Sequence, residues 1–228
     1  MKNKKVVISF ALNILIVLMV IFACIVMFTG IKFMHGPEIA LEISRAEMFK
    51  FFTVDSNILM GIAALLFVIQ QYKVIKKKQK SINKIYYALY LMGTSAVSLT
   101  FFVVFAYLGN ISEYGLKALL MNSNLFLHLI IPVASIISFI LFLRTDKLPF
   151  KYTLWGIIPT FIYGIWYLSN VLTHMENGKV SPKYDFYWFV QQGVKSAIIV
   201  VPIIFIISYL ISLVLWRFNK SFKSNKGA

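Results

Sequence analysis

Apolar residues run along this chain in six long blocks, separated by short polar and basic segments. The blocks fall near Val6–Thr29, Thr53–Gln71, Ile85–Leu108, Leu125–Leu143, Leu154–Leu172 and Ala197–Trp216. Crossing about 30 Å of hydrocarbon takes about 20 residues of helix, and each block is about that long. An open strand in lipid would leave backbone N–H and C=O groups unpaired, so the blocks are predicted to be helices. The expected fold is an all-α membrane protein, a six-transmembrane-helix bundle that forms one integral membrane domain over residues 1–228. The first block is kept as a span, because a signal peptide has a shorter apolar core of about 7–15 residues.

Composition agrees with this pattern. Of 228 residues, 60% are hydrophobic and 14% charged, where a soluble domain would carry about 25% charge. The net charge of +15 would suit a nucleic-acid partner only if the cations were clustered on a soluble surface. They lie instead between the apolar blocks, where they orient helices. No nucleic-acid partner is expected; the expected partner is the lipid bilayer, and the expected location is the cell membrane as a multi-pass protein. With the N-terminus inside, sixteen lysines and arginines fall on the cytoplasmic side and seven outside, which favours both termini cytoplasmic. The run "KVIKKKQK" at Lys73–Lys80 acts most simply as a stop-transfer signal that also meets anionic lipid. One cysteine, Cys24, excludes an internal disulfide framework. His35, His128 and His174 are too widely spaced to form a paired metal motif, so neither a metal nor a cofactor is expected.

Polar groups within the blocks carry the candidate chemistry, because such a group in lipid needs a partner or a purpose. Under the N-inside topology the second and fourth blocks both enter from outside, so their polar clusters share the outer leaflet. In the second block Thr53, Asn57, Gly61 and Ala64 fall within about 80° of one helical face, while Asp55 points away, toward water or a helix cap. In the fourth, Asn124, His128, Ser135 and Ser138 share a comparable sector, with Pro132 four residues past the histidine. Tyr163, Trp166, Asn170 and His174 form a stripe on the fifth. In the segment at residues 34–50 Ile39, Leu41 and Ile43 alternate with polar residues, while Leu41, Met48 and, just beyond it, Phe52 suit a helical face; its form stays open, and a lid or surface-lying piece fits. Tyr184, Tyr187 and Trp188 are expected to join an interfacial aromatic belt. A threonine hydroxyl and an imidazole facing one cavity suffice for nucleophilic acyl transfer, with Thr53 as nucleophile and His128 as general base. Asn57 or Asn124 would donate to the oxyanion.

The chain also resembles the androgen-induced-gene and androgen-dependent TFPI-regulating protein family of six-span membrane hydrolases, as a bacterial-type relative. The stretches that carry the resemblance are "KFFT" at Lys50–Thr53, "NLFLHLIIP" at Asn124–Pro132, "GIWYL" at Gly164–Leu168 and the loop before the last block. It implies cleavage of fatty acid esters of hydroxy fatty acids, with the nucleophile role at Thr53 and the base role at His128. The acidic residue after the threonine has a different spacing from the family's, and "SPKYDFYWF" at Ser181–Phe189 replaces a compact Tyr-Pro-Phe pattern. Neither Asp55 nor contacts in that loop therefore take a role from the family. Two functions stay open on the residues. One is an intramembrane threonine hydrolase acting on a lipid ester. The other is a non-enzymatic six-span protein or small-solute transporter whose polar residues serve helix packing. The sequence is silent on oligomeric state.

Overall fold

The computed structural model describes residues 2–35, 45–111, 115–143, 148–176, 179–181, 183–190 and 194–221. Helices dominate. They are α1 (Lys2–Thr29), α2 (Phe52–Ile75), α3 (Lys84–Val103), α4 (Ser123–Phe142), α5 (Ile158–Thr173) and α6 (Val194–Ser221). Two short antiparallel strands, β1 (Met175–Glu176) and β2 (Lys179–Val180), follow α5. The expected alternation at Ile39, Leu41 and Ile43 lies outside the described residues; Met48, just beyond it, is buried in the 3-10 turn Arg45–Lys50.

Among the described residues, five helices are long and apolar enough to cross a membrane: the four from α1 to α4, and α6. The chain is thus an all-α protein consistent with a multi-pass membrane bundle. Its fifth block takes a different form. An eight-residue 3-10 turn, Phe150–Ile157, leads into the 16 residues of α5. Pro159 opens that α-helix, a place where its missing N–H costs nothing. The outward faces are apolar, with Val7, Leu18, Ile162, Ile198 and Ile199 all more than half exposed. That surface suits lipid and would be a liability in water.

Local sequence explains the helix ends. Gly30, at φ +70°, closes α1 with its N–H on the Val26 carbonyl at 3.0 Å, a left-handed stop that glycine adopts without strain. Asn83 caps α3 by accepting the Ile85 N–H at 3.1 Å. Pro132 has no N–H to give the preceding turn, and immediately before it Phe126–Ile130 widen into a π turn. A second π turn, Ser138–Phe142, ends α4, so the regular 100° projection applies to this helix only in part.

Helix α3 is the central element, packed against α2, α4, α6 and the 3-10 turn before α5. Its small residues let neighbours approach closely. A Cβ on Gly93 would come within 3.1 Å of the Met60 Cα, and in the 3-10 turn before α5 one on Gly156 would come within 2.4 Å of Ser212 of α6 and 2.9 Å of Ser95 of α3. Asn13 joins four helices. It donates to the Gln71 side chain at 3.3 Å and accepts from the Tyr90 hydroxyl at 2.7 Å and the Ser138 hydroxyl at 3.0 Å. The whole group is buried, so each partner depends on the others. Asn13→Leu should strip three donors or acceptors of their partner at once and destabilise the protein by roughly 2–3 kcal/mol. Thermal unfolding in a mild detergent checks this, with Asn3→Leu as the control.

Candidate functional site at the N-terminal end of α2

The first N–H groups of a helix need partners from outside it. Phe51 precedes α2 in an extended conformation and offers no capping oxygen. Tyr187 fills that gap from 135 residues away, its hydroxyl oxygen accepting the Phe52 N–H at 2.9 Å. The same hydroxyl lies against those of Thr53 and Tyr163. Tyr163 in turn donates to the Lys50 carbonyl at 2.6 Å. Burial pushes the Tyr187 phenol up to about 12, so it keeps its proton at neutral pH and can donate it.

Thr53 sits in the first turn of α2, half-buried. It lines an apolar cavity of about 80 Å³ together with Thr100, Tyr163, Tyr167, Tyr187 and Phe205. Contacts of Ser56 with Thr100 (3.0 Å between hydroxyls) and of Thr94 with the Met60 sulfur (3.6 Å) fix the register of α2 against α3. The cavity therefore lies where α2 begins, bounded by α3, α5 and α6.

A carboxylate holds Tyr187 in place. Asp185 is fully buried and accepts from the Tyr167 hydroxyl, from Phe189 N–H at 3.0 Å and from Val190 N–H at 3.0 Å. This folds the segment after β2 into the bundle, with Phe186 packed edge-on against Phe51, ring centroids 5.0 Å apart. The aromatic-belt expectation needs correcting for Tyr187, which turns inward because the α2 N-terminus offers it donors. Trp188 remains exposed, and Tyr184 stacks on His174 at 3.8 Å between ring centres. The stripe read on the fifth block also divides. Tyr163 reaches the interior, Trp166 stays exposed, and the deeply buried tyrosine is Tyr167, which the stripe did not include.

His128 is buried within the π turn of α4. Its Nδ1 lies 2.6 Å from the Leu119 carbonyl oxygen. A carbonyl only accepts, so Nδ1 carries the hydrogen and Nε2 holds the lone pair. That is the tautomer a general base requires. The sequence offered no third group to orient this histidine; a backbone carbonyl from the turn before α4 does it, and no residue type announces such a contact.

Asn57 connects the two candidate turns. Its amide nitrogen donates to the Thr53 carbonyl at 2.7 Å and the Leu127 carbonyl at 3.0 Å. Both acceptors are carbonyls, which fixes the orientation of the amide. With both hydrogens committed, Asn57 has none left for an oxyanion, and its buried Oδ1 has no partner among the described residues. Asn124 is half-buried. Its neighbour Asn122 is the structural asparagine, adopting φ +50° and accepting the N–H groups of Phe33 and Met34, both at 2.8 Å. Among the described residues no hydrogen bond joins Thr53 to His128, and His128 is not part of the Thr53 cavity wall. Asp55 is exposed and makes no cap to α2.

Comparison with known proteins gave no match to a family model, to a curated protein or to a solved structure.

Proposed function

We propose that the chain is a six-span membrane protein with both termini cytoplasmic, a relative of the six-span hydrolase family it resembles, and that it hydrolyses a lipid ester. The sixth crossing would be α5 with the 3-10 turn before it. At about 2.0 Å per 3-10 residue and 1.5 Å per α residue the two reach about 40 Å, enough for the hydrocarbon core. The observation that carries the catalytic reading is the Thr53 hydroxyl in the wall of an apolar cavity at the start of α2, beside a neutral phenol.

In this reading the Thr53 oxygen attacks the ester carbonyl, and its proton passes to Nε2 of His128. The alcohol leaves with that proton. Water then attacks the acyl-threonine, giving one proton to His128 and releasing the fatty acid as Thr53 recovers its own. The Tyr187 hydroxyl stabilises the oxyanion in place of Asn57. Because no hydrogen bond joins Thr53 to His128 among the described residues, this scheme requires substrate binding to bring the two together.

A fluorophosphonate probe tests this in membranes, since the threonine oxygen would displace fluoride from phosphorus. Labelling should appear in the wild type and in Ser56→Ala and vanish in Thr53→Ala. Equal labelling of Thr53→Ala would sink the reading. The non-enzymatic alternative has its own support: Asn57 spends both amide hydrogens on helix-to-helix contacts, and Thr53 and His128 do not touch. On that alternative the polar groups serve packing, and no variant here changes any turnover.

A further inference from the structure

A second, larger recess adjoins the first. A cleft of about 650 Å³ opens on the flank of the bundle between the turn Arg45–Lys50, the first two turns of α2 and α5. That volume falls in the range of small-molecule sites, roughly 300–1,000 Å³. Phe52 and Tyr163 line both recesses, their rings 5.1 Å apart, so this ring pair forms the partition between them. Aromatic faces make up much of the cleft wall: Phe49, Phe52, Tyr163 and Trp166.

Its charges do not cancel. Glu47 pairs with Lys50 at 3.1 Å. The Lys50 ammonium also lies over the Phe51 and Phe186 rings, 5.4 and 5.6 Å from their centres, and neither ring belongs to the cleft. The one cation present is thus satisfied and directed elsewhere. Asp55 remains, an exposed carboxylate with no hydrogen bond or ion pair among the described residues. In a chain of net charge +15, this cleft presents one uncompensated negative charge among aromatic lining residues. The apolar lining continues onto Leu59 and Ile162, and Ile162 is 63% exposed.

A carboxylate among aromatic faces recognises a poorly hydrated cation, because the ring quadrupoles add to the charge attraction without a large desolvation cost. An adjoining apolar lining favours a cation that carries a hydrocarbon tail. We propose that this cleft is a binding site for a membrane-resident amphiphile with an alkylated ammonium headgroup, the headgroup against Asp55 and Trp166 and the tail along Leu59 and Ile162. The site is independent of any chemistry at Thr53.

The test uses the full chain in nonionic maltoside micelles and an alkyltrimethylammonium carrying a diazirine in its tail. Photolabelling should saturate and be displaced by unlabelled alkyltrimethylammonium, but not by alkyl sulfate of equal chain length. Asp55→Asn and Trp166→Ala should each weaken apparent affinity by about tenfold. Asp55 and Trp166 are both exposed, and an unchanged melting temperature confirms that the variants fold. Equal labelling of Asp55→Asn, or equal displacement by the sulfate, overturns the proposal. So does displacement by tetramethylammonium at the same concentration as the amphiphile, which would assign the cleft to a water-soluble amine.

Discussion

His128→Ala should lower ester hydrolysis by about 10²–10⁴-fold, the usual contribution of a positioned general base. Thr53→Ala should fall to background, and the double variant should be no worse than Thr53→Ala alone, because the two act in one step. The reason lies in the hydrogen bond to Leu119, which fixes which ring nitrogen is free. A glutamine at 128 can keep a donor toward that carbonyl but has no basic nitrogen, so His128→Gln should fold like wild type and remain inactive. An active His128→Gln would reduce the histidine to a packing group. Hydrolysis of medium-chain p-nitrophenyl esters by protein in detergent measures all four variants.

Asp185→Asn should be the most damaging single substitution for stability among the polar positions outside the helices. The carboxylate satisfies a phenol and two backbone N–H groups with two oxygens, and an amide presents only one acceptor to them. Hydrogen bonds to a charged acceptor are worth about 1.5–3 kcal/mol each. Losing one and setting an NH₂ against a backbone N–H should together cost about 2–4 kcal/mol. Tyr167→Phe, which removes only the phenol donor, should cost about 1 kcal/mol. Thermal unfolding separates the two. The same substitution should release Tyr187 from the α2 N-terminus, so any hydrolysis should fall in Asp185→Asn while His128 is untouched. Stability equal to wild type would mean that the packed rings, and not the carboxylate, hold this segment.

Hydropathy located the helices that span by length alone. The expected Thr53–Gln71 became Phe52–Ile75, and Leu125–Leu143 became Ser123–Phe142, each end moving by a few residues. A run of about 20 apolar residues leaves the backbone few alternatives in lipid, so such elements are legible. The fifth block was legible as apolar but not as a 3-10 turn leading into an α-helix twice its length, since hydropathy alone does not separate the two forms. Helical spacing also placed Asn57 inward and Asp55 outward, as found.

What spacing could not supply were contacts across long stretches of chain. Tyr187 capping α2, Asn13 joining four helices and Asn122 holding the segment after α1 all depend on residues far apart in sequence. The orienting group for His128 is a main-chain carbonyl, which every residue possesses. The partners of Asn57 were hidden for a related reason. Its two hydrogens were spent on carbonyls of its own helix and of α4, and an asparagine's partners cannot be read from its position.

The most direct test of the account is to find where a fluorophosphonate bonds. After labelling in membranes, digestion and peptide mass spectrometry should place one adduct on Thr53 in the wild type and none in His128→Ala. An adduct on Ser56 or Tyr187, or an undiminished adduct in His128→Ala, would contradict the pairing of Thr53 with His128.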